Sequence, residues 1–192
     1  MTIKCALTGL LSFAILAAMS ACSTVPPDAR DLLDEHTGVT VSVVGAPMEF
    51  AHEASGASGH DFLTLVAVQR DEDGQYTALL LLYRWSVFYD AARSSAEAGA
   101  GELLIDADGR PIKLQPLQHL PIGLPGPKDL FVPDTTEPAL SAYVTDLETM
   151  RLIATSHELT VRLPKGSPIG AFELTQDGRP ALQLFLKHLS GS

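Results

Sequence analysis

Apolar and polar positions alternate with a period of two over much of the chain, and acid–glycine pairs punctuate the alternation. Val39 to Val44 has the β-branched enrichment of a strand, stopped by Gly45 and Pro47, and Met48 to Ala51 reads as a second short strand. Asp31 to His36 reads as a helical turn, and His52 to His60, with glycine, serine and alanine, as a loop. The strongest signal is Phe62 to Gln69 and Thr77 to Val87 around Asp71-Glu72-Asp73-Gly74, a hairpin whose turn needs the positive φ that Asp-Gly supplies. In its second strand Leu79, Leu81, Tyr83, Trp85 and Val87 share one face, and Ala78, Leu80, Leu82, Arg84 and Ser86 the other. A strand apolar on both faces near its start is central and covered on both sides there, with Arg84 and Ser86 meeting solvent or a partner carboxylate.

Downstream, Asp90 to Gly101 is rich in small residues and fits a loop or a short helix. Glu102 to Ile105 and Pro111 to Leu117 form a second hairpin around Asp106-Ala107-Asp108-Gly109. From Pro116 to Pro138 the chain spends six of its 13 prolines, which predicts a long extended connection, the first candidate contact surface. The period then changes to that of a helix. Thr145 with Glu148 makes a capping box, and Leu147, Met150, Ile153 and Ala154 predict a helix over Asp146 to Thr155. Glu158 to Leu163 and Ala171 to Thr175 alternate as strands, and Asp177-Gly178 turns the chain again. Pro180 opens a helix carrying Leu182, Phe185, Leu186 and Leu189, with Gly191 as its stop; a terminal hairpin strand competes. The sum is a mainly β chain: a single antiparallel β-sandwich-like domain of about six to eight strands, with one or two helices in its C-terminal third.

The first residues follow a different pattern. Lys4 precedes an apolar run from Ala6 to Met19, and Met19-Ser20-Ala21 leads into Cys22. The run is shorter than the ~18–20 residues that span a bilayer, and it fits an export signal. A cysteine directly after the small residues is where bacterial lipoprotein signals are cut, so Cys22 is the expected lipidation site. An ordinary cleaved signal that leaves a stray cysteine is the alternative. The expected organisation is a signal peptide at 1–21, a lipidated tether at 22–30 and one β-rich periplasmic domain at 31–192. Two or more acyl chains, palmitate among them, hold stably where one does not. Ser23 in place of Asp after the cysteine favours the outer membrane, facing the periplasm.

Composition narrows the function classes. The chain is 46% hydrophobic and has a formal charge of −10, which becomes more negative once Lys4 leaves with the signal. That balance argues against a nucleic-acid partner, which needs a basic footprint. With Cys5 removed and Cys22 acylated, the domain has no thiol for a disulfide, a thiolate metal site or a nucleophile.

Candidate chemistry is sparse. The two acidic turns lack the register of a calcium loop and are explained as hairpin turns. His36, His52, His60, His119, His157 and His188 include no HExxH pair; His52-Glu53 and His60-Asp61 are the one place where metal ligands could converge. Ser55-Gly56-Ala57-Ser58-Gly59 lacks the context of a nucleophile elbow, and no phosphate loop occurs. No cofactor, metal site or catalytic residue is assigned. Trp85 and Tyr83, two apart on one strand face with Arg84 between, are the candidate ligand or partner contact, against a core-anchor role for the aromatics.

Leu33-Asp34-Glu35-His36-Thr37-Gly38-Val39-Thr40-Val41, followed by Tyr83-Arg84-Trp85-Ser86, resembles an uncharacterised family of proteobacterial envelope lipoproteins. The resemblance covers the first half of the mature domain. It implies an envelope lipoprotein and carries over no catalytic residues. The expected function is an outer-membrane-anchored, non-enzymatic binding or envelope-assembly module, meeting the membrane through the lipid on Cys22 and an envelope protein as partner. A periplasmic hydrolase using carboxylates or histidines is the alternative.

Overall fold

A computed structural model describes residues 28–53, 59–88, 101–134, 138–163 and 170–191. The expected export signal, Cys22, most of the expected tether and the segments at 54–58 and 89–100 lie outside them. Among the described residues ten strands and two helices follow in the order β1 (Arg30–Leu33), β2 (Thr40–Val43), β3 (Met48–Glu53), β4 (Gly59–Glu72), β5 (Gln75–Phe88), β6 (Leu103–Ala107), β7 (Arg110–Leu114), β8 (Ala139–Thr145), α1 (Leu147–Thr155), β9 (Leu159–Arg162), β10 (Phe172–Gln176) and α2 (Arg179–Ser190). The domain is mainly antiparallel β with its helices near the C-terminus, as the periodicity predicts.

The strands belong to one ten-stranded sheet, which curls. Around the curl the order is β8, β5, β4, β3, β10, β9, β6 and β7. Beyond β7, Pro116 bridges Tyr143, and the Leu117 N–H donates to Ala142 O at 2.7 Å, so the chain returns to β8. The two long hairpin strands are the backbone of this arrangement. Asp73 and Gly74 sit at φ of 53° and 81° between the paired Glu72 and Gln75, and Asp71 Oδ1 accepts from the Gly74 N–H at 2.8 Å. The turn at Asp108-Gly109 repeats the geometry, with φ of 52° and 76° and Asp106 accepting from the Gly109 N–H. Both are the primed turns that match strand twist.

β2 and β3 run along the same edge of β4 in succession, β2 against Val68–Asp71 and β3 against His60–Leu65. Gly45 and Pro47 break that edge. There the sheet forks: β3 continues into β10, while β2 carries β1 as a flap. α2 starts in the fork, with the Gly178 Cα against the Pro47 backbone, and its far end reaches β1 through His188 Nε2 and Asp31 Oδ2 at 3.0 Å. The other face of the flap is covered by the proline-rich segment 116–134. Arg30 stacks over Phe131 and donates to Asp129 O, Arg70 Nε donates to Ile122 O, and Gly123 packs on Thr37 and Val39. The extended connection is therefore a strap fastened to the core, with Leu130 buried beneath it.

Both faces of β5 are buried from Leu79 to Tyr83, because β4 and β8 flank it, the strap lies on one side and the interior of the curl on the other. Fully burying each such leucine contributes about 1.5–3 kcal/mol. The interior is filled by Phe50, Leu63, Leu65, Leu80, Ile105 and Phe172, and the buried faces of α1 (Met150, Ile153) and α2 (Leu182, Phe185) join the same cluster. At the helix end, Arg179 donates to Ser156 O at 2.6 Å and to His157 O at 2.9 Å, and Asp177 holds the guanidinium. Asp108 accepts from the His157 and Glu158 N–H groups, tying the second hairpin to the helices.

Three local expectations are corrected. Arg30 to Leu33 is an edge strand where a helical turn was predicted from Asp31, since pairing with β2 outweighs the local helix-compatible composition. Asp177-Gly178 makes no hairpin; Gly178 is the N-cap of α2. In α1 the cap is Asp146, which accepts from the Thr149 N–H at 2.6 Å, not Thr145.

Candidate functional site

The two ends of the curled sheet differ in kind. One holds the two tight hairpin turns and both helices. The strand ends flanking 54–58, 89–100, 135–137 and 164–169 all lie at the other, the mouth. Strand register places the polar residues of β3, β4 and β5 there. His52 pairs with Asp61, and Asp61 pairs with Ser86, so the three form one row across three strands on the interior face. Arg84 is the next residue inward on that face of β5, opposite Leu63.

Each member of the row is held differently. Asp61 is 4% exposed and accepts a hydrogen bond from the Ser86 hydroxyl at Oδ1. His52 Nδ1 donates to Ala171 O at 3.0 Å, which leaves Nε2 as the nitrogen without the proton in the neutral ring. The ring tilts against Phe172, with centroids 5.6 Å apart. Arg84 Nε is buried and has no hydrogen-bond partner among the described residues, and none of their ion pairs involves this guanidinium. An unsatisfied buried donor of this type costs about 1–3 kcal/mol. Among the described residues the other two half-buried arginines, Arg70 and Arg179, each hold a carboxylate at 2.7 Å.

The opposite face of the same strands carries an aromatic ladder. Phe62 and Trp85 stack with centroids 4.2 Å apart and planes 13° from parallel, and His60 lies 6.1 Å beyond Phe62. Trp85 Nε1 donates to the buried Thr64 hydroxyl at 3.2 Å. Tyr83 is 1% exposed, and burial pushes its phenol up to about 12; its hydroxyl has no partner.

Tyr83, Arg84 and Trp85 therefore do not form one contact surface. Tyr83 is a core residue, Trp85 is half-buried against Phe62, and Arg84 points to the interior at the mouth. The proposed convergence of His52 and His60 fails for the same reason. Odd and even positions on paired strands face opposite ways, so His52 and Asp61 share the interior while His60 faces out. Among the described residues no three histidine, cysteine, aspartate or glutamate side chains group as metal ligands. The row His52, Asp61, Ser86 has the carboxylate in the middle, so no imidazole stands beside the serine hydroxyl as a nucleophile–base pair requires.

The alternation places Arg84 and Ser86 on the face opposite the aromatics and allows them a partner carboxylate. Ser86 has found one in Asp61. The role of Asp61 was missed, since its pairing with Ser86 is a matter of register across a 25-residue separation. A second feature, a shallow groove of about 270 Å³ between α1 and α2, is lined by residues that include Arg151, Ala154, Gln183, Leu186 and Lys187. Among the described residues no helix is long and apolar enough to cross a membrane. No family model, curated protein or solved structure matches this chain.

Proposed function

We propose that the protein is an outer-membrane lipoprotein, acylated at Cys22 and facing the periplasm, whose β-rich domain is a non-enzymatic binding or assembly module. The observation that carries the reading is the apolar run ending in Met19-Ser20-Ala21-Cys22. Only seven residues lie between Cys22 and Arg30, where β1 begins, a span of at most about 28 Å. A tether of that length holds the domain beside the lipid surface. The exposed strap residues Ile122 (76%) and Leu120 (47%) supply an apolar contact for an envelope protein partner.

Cys22→Ser tests the anchor. The substituted protein is expected to leave the membrane fraction and to lose the mass of the acyl groups; membrane retention without that mass change would overturn the reading. Ile122→Asp tests the strap as a partner surface, because the side chain is exposed and its loss leaves the core intact. Cross-linking in native envelopes is expected to recover fewer partners from the variant, and an unchanged set would remove the strap from the proposal.

A further inference from the structure

We propose that Arg84 is the recognition group of a site for a small carboxylate at the mouth of the curled sheet. The inference deepens the binding-module reading and rests on it only in treating the domain as a binder.

The protein is acidic, and its other half-buried arginines are paired with carboxylates. Of the three half-buried arginines among the described residues, Arg84 alone holds none, although its Nε is buried and in need of an acceptor. Asp61 lies on the same face but is engaged by Ser86 and stays beyond ion-pair distance. An external oxyanion would satisfy the guanidinium, whose fork of N–H groups matches a carboxylate in two parallel hydrogen bonds.

The surroundings set the size and charge of the ligand. Leu63 (0%), Leu82 (3%) and Phe172 (0%) close the floor beneath the row, so no long tail enters the curl. The ligand is held at its charged end, with its body at the rim. Asp61 contributes a negative charge beside the site, which repels a dianion more strongly than a monoanion. A single carboxylate is therefore preferred over phosphate.

The test uses the intact chain purified in detergent, labelled so that arginine Nε–H resonances are seen, with Arg84→Lys identifying the Arg84 signal. Sodium acetate, sodium benzoate and sodium phosphate are titrated at constant ionic strength. The expected result is a saturable shift of the Arg84 resonance with the carboxylates, at concentrations at least fivefold lower than with phosphate. Thermal denaturation adds a second readout: carboxylate raises the midpoint of the wild type and not of Arg84→Met. An Arg84 resonance that moves with none of the salts, a stronger response to phosphate, or an equal midpoint rise in Arg84→Met would each overturn the proposal. Fractionation of Cys22→Ser reads only the anchor, so the two readings fail separately.

Discussion

Ser86 and Asp61 face each other across β4 and β5, and the serine hydroxyl donates to a carboxylate that is almost wholly shielded from water. Among the described residues this bond is the one compensation given to the buried Asp61 side chain. Ser86→Ala removes it and leaves the carboxylate buried without that donor, which should cost about 1.5–3 kcal/mol, the range for hydrogen bonds to charged groups. Asp61→Asn keeps an acceptor for Ser86 and removes the charge, so its loss should be smaller. Urea denaturation of the two variants checks the order, and a Ser86→Ala variant as stable as the wild type would show that the hydroxyl contributes little.

Tyr83 makes a prediction of the opposite sign. Its hydroxyl is buried with no partner, so Tyr83→Phe should be neutral or stabilising by up to about 1 kcal/mol. The same burial raises the phenol from 10.0 to about 12 in the folded protein. The unfolded chain ionises first, so the contribution is whole below pH 10 and is lost as pH rises to about 12. Tyr143 is raised in the same direction by burial. Alkaline denaturation curves should therefore be shallower, though not flat, in Tyr83→Phe.

At the fork between β2 and β3, Gly178 has no room for a side chain. A Cβ would lie 2.3 Å from Pro47 O and 2.6 Å from Pro47 C, and backbone cannot move aside cheaply. Gly178→Ala should cost about 1–3 kcal/mol or more, by forcing the start of α2 off the break. Gly126→Ala, where open space surrounds the site, is the control expected to leave stability nearly unchanged. Thermal midpoints of the two variants provide the comparison.

Acid should loosen the same helix from both ends. The Ser42 hydroxyl, with His188, holds the Asp31 carboxyl below the usual carboxylate range, and the Arg179 side chain does the same for Asp177. Depressed carboxyls contribute stability that is present above their unfolded value of about 4 and lost as pH falls through the lower folded value. Urea midpoints should thus fall below pH 4, and Asp177→Asn should flatten part of that slope. Both carboxyls are partly exposed, so added salt should weaken the effect.

Local chemistry made some of this fold readable in advance and hid the rest. The β4–β5 and β6–β7 hairpins follow from Asp-Gly turns between alternating runs, and α1 and α2 from helical spacing with Asp146 and Pro180 at their starts. Alternation also separated Arg84 from Trp85. What no local pattern carries is the choice of distant neighbours. β10 between β3 and β9, the strap over β1 and β2, and Asp61 beside Ser86 are all set by packing among segments far apart in the chain. Asp177-Gly178 shows the limit most clearly. The same dipeptide that turns two hairpins caps a helix here, because the chain beyond it has Pro180 and a helical period.

The position of β10 has a consequence for how such a chain is made. It fills the gap between β3 and β9, and its approach joins His52 to Ala171, 119 residues apart. Pairing over that distance is slow, since loop-closure entropy is lost before any contact repays it. Until Phe172–Gln176 arrives, β3 and β9 each present an open row of backbone donors and acceptors, the template on which other chains assemble. The closing stave is thus also the protection against aggregation, and a chain that folds only when β10 is in hand stays open for as long as its synthesis is incomplete.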